Sequence, residues 1–260
     1  MSAGFKHFFR PLVARIKLWT VSRFPCWVGV FYRLFWKPRN AIEWEIHQKS
    51  KDQQAFTFLQ IGANDGRIND PIFPFIFRDY WQGHRFEPLE IPFNRLSALH
   101  KRTPWVLPVK ALLGTKSGTA PLYCLAFSSK RWATGLSSLS REQLEAQIAS
   151  GYVARRAKKY RETLPEQVDH WIEAREMPVY ELNAWIMENA KGRLDLLQID
   201  TEGYDHILLQ ALDIKRLDVA MICFEKLHIP EAEFLVCTSK LQAAGYRLVT
   251  TDCDVLALRS

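Results

Sequence analysis

The sequence predicts an α/β fold with a doubly wound, mostly parallel sheet and an antiparallel C-terminal hairpin. Short apolar runs that are typical of buried strands alternate with segments of helical spacing, and such alternation gives parallel βαβ units with right-handed crossovers. Tyr246–Thr250 and residues 254–258 flank a short turn at the C-terminus, which predicts the hairpin. No repeat or low-complexity tract interrupts the order.

Each predicted element follows from its local pattern. The run AFTFLQIG predicts the first strand, and Asp70 and Pro71 predict the cap and first turn of the helix after it. Residues 175–190 predict a short strand and a helix. The other predicted strands are 55–62, a strand ending at 85–86, 105–112, 119–125, 194–200 and 219–225, and the helices are 71–80, 91–101, 204–212 and 231–244.

Composition divides the chain into two parts. The 260 residues carry a net charge of +7, yet residues 1–40 contain eight Lys or Arg and no acid, which leaves 27 basic against 28 acidic residues elsewhere. We therefore predict a basic aromatic arm at 1–45 and one domain at 46–260. Within that domain, the polar residues 128–174 predict a helical insertion that caps the site. A nearly neutral body argues against a nucleic-acid partner.

The arm suggests contact with a membrane surface. Its longest uncharged stretch, residues 24–32, is far shorter than the roughly 20 apolar residues that span a bilayer, and cations interrupt any signal-peptide core. Residues 1–40 are therefore interpreted as a helix lying on an anionic membrane, or as an arm packed on the body or on a second subunit. Five scattered cysteines without zinc spacing favour a reducing, cytoplasmic location, peripheral to the membrane at most.

A glycine-rich loop after the first strand predicts a nucleoside site. The loop runs Gly62-Ala63-Asn64-Asp65-Gly66, and its glycines let the backbone approach a ligand at the carboxyl edge of the sheet. It lacks the dinucleotide pattern GxGxxG because position 64 is Asn. The Glu87-Pro88 pair closes the second strand 21 residues after Gly66, where an acid can accept both ribose hydroxyls. The alternative for Glu87 is a surface acid before a proline.

Acids also end the later strands. Asp200 and Glu202 follow an almost purely apolar run, where carboxylates are costly unless exposed, paired or ligated. Their alternative role is to cap the helix near Tyr204. Glu225 and His228 end the next strand, and a histidine beside a carboxylate can act as a general base. The plain alternative for His228 is a solvent-facing loop residue.

In this order, the motifs resemble the FkbM-type methyltransferases. The residues that carry the resemblance are FLQIGANDG (58–66), FEP (86–88), KSGTAPLY (116–123), LLQIDTEG (196–203) and FEKLHI (224–229). The resemblance implies a Rossmann-like, class I methyltransferase sheet and O-methylation by S-adenosylmethionine (SAM), often of a sugar hydroxyl on a glycan, glycolipid or natural product. It places Gly62, Asn64 and Gly66 in the cofactor loop and Glu87 at the ribose.

The same resemblance puts Asp200, Glu202, Glu225 and His228 at the reacting face. Many members carry Asp where this chain has Gln60, which has no charge to balance the sulfonium. The proposed base is His228 or Asp200. Alternatively, Asp200, Glu225 and His228 hold a divalent metal, and the sequence does not decide between the two.

Two rival functions remain open at this point: a nucleotide-sugar or dinucleotide enzyme on the same sheet, and a non-catalytic, membrane-associated scaffold that still binds SAM. The basic arm also suggests that the acceptor is a lipid-linked sugar compound.

Overall fold

A seven-stranded sheet forms the centre of the protein. The computed structural model describes residues 21–51, 53 and 55–259. The sheet order is β3-β2-β1-β7-β8-β10-β9, and every neighbouring pair is parallel except β8–β10 and β10–β9. The strands of this sheet are β1 (Thr57–Ile61), β2 (Gln82–Phe86), β3 (Val106–Val109), β7 (Arg193–Ile199), β8 (Asp218–Glu225), β9 (Tyr246–Thr250) and β10 (Asp254–Arg259). This confirms the predicted doubly wound sheet with an antiparallel C-terminal hairpin.

Helices cover both faces of the sheet. They are α1 (Pro25–Phe35), α2 (Ala41–Ser50), α3 (Phe73–Arg78), α4 (Glu90–His100), α5 (Arg131–Thr134), α6 (Arg141–Ala149), α7 (Tyr152–Tyr160), α8 (Leu182–Ala190), α9 (Asp205–Ala211) and α10 (Glu231–Ala243). One apolar core joins the sheet to α8, α9 and α10, and a second core on the opposite face joins it to α2, α3 and α4. Within the described residues, no helix has both the length and the apolar character needed to cross a membrane.

The sequence did not predict a second, smaller sheet. Its strands are β4 (Leu112–Gly114), β5 (Gly118–Leu125) and β6 (Ile172–Glu181), in the order β4-β6-β5. The predicted third strand, 105–112, is confirmed only over Val106–Val109, because the chain leaves the large sheet after Val109 and enters the small one at Leu112. The strand predicted after residue 175 is ten residues long and begins at Ile172, so it includes the last residues of the predicted insertion.

The helix predicted at 71–80 is shorter than expected. Asp70 does cap this turn, since its Oδ1 accepts hydrogen bonds from the amides of Ile72 (3.0 Å) and Phe73 (3.1 Å). The helix itself begins at Phe73, so Pro71 precedes it and Pro74 occupies the first turn. The prediction for the N-terminal arm lies partly outside the described residues, because only residues from 21 onward are described.

Candidate active site

Strand register brings the predicted site residues to one edge of the sheet. Ile61 pairs with both Phe86 and Ile199, and Ile199 pairs with Phe224. The next residue on each of these four parallel strands therefore leaves the sheet at the same level. Those four residues are Gly62, Glu87, Asp200 and Glu225.

A single cavity of about 550 Å³ lies at this edge, within the range of small-molecule sites. Gly62 and Glu87 line it together, as the idea of one nucleoside pocket requires. Other predicted residues in its wall are Gln60, Ala63, Asn64, Pro88, Asp200, Glu202 and Glu225. His228 is not part of the wall, but its Nε2 lies 3.4 Å from the Oε2 of Glu202, which is.

Gly62 is the tightest point of the site. Its φ is +80°, and a Cβ built on it would lie 1.7 Å from the carbonyl oxygen of Asp200. The amides of Gly62 and Ala63 both donate to the carbonyl oxygen of Phe86, at 3.1 and 2.9 Å. Since a Cβ cannot approach a backbone oxygen so closely, the strand ends can meet this way only with glycine here.

Glu87 fastens the loop from the neighbouring strand. Its Oε2 accepts a hydrogen bond from the amide of Asn64 at 2.9 Å, and its Oε1 accepts one from the amide of Leu89 at 2.8 Å. Asn64 itself has a left-handed backbone, with φ +48°. Burial raises the pKa of Glu87 to about 7, although these two amides oppose the shift. Each carboxylate oxygen keeps a free lone pair, which a ribose hydroxyl can use.

Two residues of the predicted cofactor loop face away from the cavity. The Oδ1 of Asp65 accepts hydrogen bonds from the amides of Arg67 (3.1 Å) and Ile68 (3.0 Å), so it stabilises the turn. A Cβ on Gly66 would lie 2.7 Å from the Nη1 of Arg85, so this glycine makes room for a buried guanidinium. Neither residue belongs to the cavity wall.

Gln60 belongs to a buried polar network that the sequence did not predict. The Nε of Arg85 donates to the Oε1 of Gln60 at 2.7 Å, and the same guanidinium pairs with Asp70. Its Nη1 also contacts the Nε2 of His100 at 2.9 Å. Burial, reinforced by the Arg85 charge, lowers the pKa of His100 well below its ordinary value. The neutral amide at position 60 therefore avoids a second carboxylate next to an already neutralised Arg85.

The acidic end of the cavity is crowded. The Nε2 of His228 lies 3.4 Å from the Oε2 of Glu202 and 3.9 Å from the Oε2 of Glu225. Loss of bulk water, together with the carboxylates of Asp200 and Glu225, raises the pKa of Glu202 to about 9. The pKa of Glu225 is raised to about 7, chiefly by burial and then by the charge of Asp205.

Asp200 opens onto the cavity itself. Loss of solvating water inside the cavity raises the pKa of Asp200 well above its usual range, and the charges of Asp205 and Glu225 add to the effect. Partial burial lowers the pKa of His228 despite the opposing charge of Asp205. His228 is therefore neutral near pH 7 and able to accept a proton.

Asp200 does not take the capping role considered for it. Helix α9 has Tyr204 at its N-cap without a side-chain cap bond. Asp205 instead holds the preceding turn, since its Oδ2 accepts hydrogen bonds from the amide (3.1 Å) and hydroxyl (2.7 Å) of Thr201. This leaves the Asp200 side chain free to face the cavity. Asp205 follows the motif directly, but an acid in a first helical turn gives no distinct signal in the sequence.

Three side chains could hold a cation. Glu202, Glu225 and His228 each offer one ligand atom, and the three atoms lie within 4.8 Å of one another. Glu202 thus takes the place that the sequence gave to Asp200. The Oε2 of Glu225 is buried without a hydrogen-bond partner among the described residues. One nitrogen and two carboxylates suit a transition metal better than magnesium or calcium.

The insertion supplies cavity residues that sequence reasoning missed. The guanidinium of Arg131 donates to the carbonyl of Ile68 and lies 3.6 Å from the Oδ2 of Asp65, so α5 rests on the cofactor loop. A Cβ on Gly203 would lie 3.1 Å from the side chain of Gln143, which brings α6 over the acidic turn. The insertion residues in the cavity wall are Arg131, Thr134, Gly135, Ser137, Ser138 and Leu139.

The N-terminal segment also reaches the cavity, through Arg39, Asn40 and Glu43. Asn40 caps α2 by accepting a hydrogen bond from the amide of Glu43 at 2.8 Å, and Arg39 forms an ion pair with Glu43. Their polar composition alone resembles an ordinary solvated turn, so the sequence gave no signal for this placement.

A doubly wound sheet whose central strand ends share a glycine bend, a buried acid and a cluster of carboxylates fits a Rossmann-like methyltransferase. Residues 60–248, nearly three quarters of the chain, match the methyltransferase FkbM domain. The chain therefore belongs to the FkbM methyltransferase family and is a SAM-dependent methyltransferase. Membership decides against the nucleotide-sugar or dinucleotide enzyme. No curated protein sequence matches the chain significantly.

Several solved methyltransferase structures are similar at a distance. A precorrin-6y C5,15-methyltransferase from Geobacter metallireducens GS-15 has 12% identity and a TM-score of 0.40, over 84% of this chain and 88% of that one. The METTL16 MTase domain has 8% identity and a TM-score of 0.44, over 84% and 66%. A human methyltransferase 10 domain containing protein has 9% identity and a TM-score of 0.39, over 86% and 84%. The family assignment rests on the domain match.

Proposed function

We propose that this enzyme transfers the methyl group of SAM to a hydroxyl of a sugar-containing acceptor, such as a glycan or glycolipid. The observation that carries the proposal is the place of His228, whose Nε2 lies 3.4 Å from Glu202 and 3.9 Å from Glu225, two acids that line the same cavity as the Gly62 loop. A hydroxyl must lose its proton as it attacks, and these residues offer a place for that proton.

The residues present fit the cofactor. SAM supplies a methyl group on a positively charged sulfur that is a good leaving group. Gly62 lets the loop backbone approach the nucleoside, and Glu87 can accept the ribose hydroxyls. Asp200 shares the cavity wall with Gly62 and Glu87 and can supply the negative charge that Gln60 lacks. The sulfonium charge itself would favour ionisation of Asp200.

Methyl transfer from SAM to the acceptor would be a single displacement. The acceptor oxygen forms a bond to the methyl carbon while the carbon–sulfur bond breaks, and the sulfur keeps the electron pair. The acceptor proton passes to the Nε2 of His228, and Glu225 stabilises the resulting imidazolium. Because the leaving group is already activated, holding the two reactants in line supplies much of the rate.

The polar wall of the cavity supports a polyhydroxylated acceptor. Hydroxyl and charged groups from the insertion, including Ser137, Ser138 and Arg131, face the same space as the acids. A second cavity of about 260 Å³ shares Leu89, Thr134 and Ser137 with the first. This arrangement suits an acceptor larger than one sugar unit, with its reacting hydroxyl at His228.

The test is transfer from isotope-labelled SAM to panels of glycans and glycolipids, with the labelled atom located by mass spectrometry. We expect label on a sugar oxygen, and His228→Ala should lower kcat by about 10²–10⁴-fold while SAM binding by calorimetry persists. The exposed His170→Ala serves as the matched control. Label on nitrogen would overturn the hydroxyl assignment. SAM binding without turnover on any acceptor would support a non-catalytic scaffold.

A divalent metal at Glu202, Glu225 and His228 is the second candidate for activating the hydroxyl, favoured by the convergence of the three ligand atoms. Loss of turnover with a chelator, with recovery on adding manganese or zinc, would support the metal. Activity that is unaffected by chelators would support His228 as the base, since a proton acceptor needs no cation.

A further inference from the structure

Helix α1 is fixed to the body by one face. A Cβ on Gly29 would lie 2.5 Å from the carbonyl oxygen of Phe77, so the backbones of α1 and α3 touch closely. Tyr32 packs edge-to-face on Phe73, with ring centroids 5.8 Å apart. The guanidinium of Arg33 donates to the carbonyl of Arg78 at 2.9 Å. These contacts determine which side of α1 points outward.

The outward side of α1 is apolar, although surface helices normally turn polar residues to solvent. Trp27, Leu34 and Phe35 are 73%, 70% and 69% exposed. With Val30 and Phe31, they follow the i, i+3, i+4, i+7 spacing of one helical face. A helix that is apolar on both sides is normally covered on both, and contiguous exposed apolar surface of this kind marks a binding site.

Cations accompany this face. Arg23 and Lys37 lie at the two ends of α1 and are both exposed, and residues 1–40 contain no acid. Among the described residues, no carboxylate pairs with Arg23 or Lys37. Exposed aromatic rings beside cations without a carboxylate partner complement the anionic surface of a lipid bilayer, in which rings enter the acyl boundary and cations meet headgroups. An apolar protein partner would gain nothing from this bias in charge.

We propose that Trp27, Val30, Phe31, Leu34 and Phe35 form a docking face for an anionic membrane. The docking face ends at Phe35, and the chain enters the cavity wall at Arg39, four residues later. Docking therefore holds one wall of the active cavity close to the lipid headgroups. The corollary that the acceptor is a lipid-linked sugar rests on the proposed function, whereas the membrane contact does not.

Vesicle co-sedimentation of the full chain tests the docking face. We expect binding to vesicles of phosphatidylcholine with phosphatidylglycerol, weaker binding to phosphatidylcholine alone, and weakening by salt. The variant Trp27→Ser/Phe31→Ser/Leu34→Ser should reduce the bound fraction at least about tenfold. The control is Leu235→Ser/Val236→Ser on α10, which packs on the opposite face of the sheet and exposes 58% and 52% of these side chains. It should bind as the unaltered chain does.

Two outcomes would overturn the proposal: equal sedimentation of both variants, or no vesicle binding together with a dimer that the triple variant converts to a monomer. The second would identify the face as a contact between copies. SAM binding, measured alongside by calorimetry, should stay unchanged in both variants. Vesicle binding without methylation of any sugar acceptor would refute the proposed function and leave the docking face standing.

Discussion

The two ends of the active cavity are built in opposite ways. At the cofactor end, polar groups satisfy one another: both oxygens of Glu87 accept backbone amides, and Arg85 is shared between Gln60 and Asp70. At the acidic end, Glu202 and Glu225 crowd a histidine whose pKa is lowered, and the Oε2 of Glu225 has no described hydrogen-bond partner.

This difference suits the cofactor end to binding a ligand and the acidic end to moving a proton. A satisfied network is rigid and presents a fixed shape to the ligand. Crowded carboxylates with raised pKa values cost the empty protein free energy, and such costs concentrate where protons are moved. Substitutions at the cofactor end should therefore act by changing the shape of the site, and substitutions at the acidic end by changing its charge.

The largest effect is expected from Gly62→Ala at the cofactor end. The new Cβ would overlap the carbonyl of Asp200, so the free energy of unfolding should fall by at least about 3 kcal/mol and SAM binding should be lost. Gly245→Ala is the matched control, because Gly245 has a similar φ (+85°) with nothing within 4 Å of its Cβ. It should cost about 1 kcal/mol. If urea denaturation showed the same loss in free energy of unfolding for both variants, the clash with Asp200 would be unimportant.

A smaller effect of opposite sign is expected from Glu202→Gln at the acidic end. The folded protein retains the Glu202 proton up to a pKa of about 9, whereas the unfolded chain releases it near 4.5. The penalty is therefore absent below pH 4.5 and accumulates as pH rises toward 9. Because the Glu202 side chain is 27% exposed, water screens much of this penalty. The free energy of unfolding of the variant should therefore be only about 2 kcal/mol higher at pH 8, with no gain at pH 4.5.

Urea denaturation at the two pH values measures this difference, with the exposed Glu188→Gln as a control that should show none. A destabilised variant at pH 8 would mean that Glu202 is held by a favourable partner and is not crowded.

The smallest effect concerns Glu87 and the pH dependence of SAM binding. The pKa of Glu87 is raised to about 7, and a carboxylate accepts ribose hydroxyls better than a carboxylic acid. Affinity measured by calorimetry should therefore rise about tenfold between pH 6 and pH 8. Glu87→Gln should remove that slope, whereas Glu225→Gln, with a pKa in the same range at the other end, should retain it. If Glu225→Gln removed the pH dependence of SAM affinity and Glu87→Gln retained it, the roles of the two ends would be reversed.

The sequence predicted the parts of this site that are local in the chain. Apolar runs that end in Gly62 and Asp200, and the Glu87-Pro88 pair after Phe86, located the strand ends, and the alternation of elements located the sheet. Parallel pairing then brings those ends together without further information. The same reasoning failed in part at residues 105–112, because a long apolar run does not show where the chain changes sheets.

The parts that the sequence missed depend on contacts between distant segments. Arg131 reaches the carbonyl of Ile68 across 63 positions, and Arg39 enters the cavity wall from beside the N-terminal arm. A cation in a polar stretch looks the same whether it faces solvent or a cavity. The Arg85–Asp70 pair was also missed, since a buried ion pair leaves no periodic pattern.

The small sheet has a consequence for how such enzymes change their substrates. The chain leaves it at Leu125 and returns at Ile172, and these two residues are register partners, with the amide of Ala126 bonded to the carbonyl of Trp171 at 2.9 Å. Residues 126–171 are thus an insertion whose two ends lie side by side. Segments of other lengths could be inserted at that junction without breaking the pairing of either sheet, so new acceptors can be acquired by exchanging a single stretch of chain.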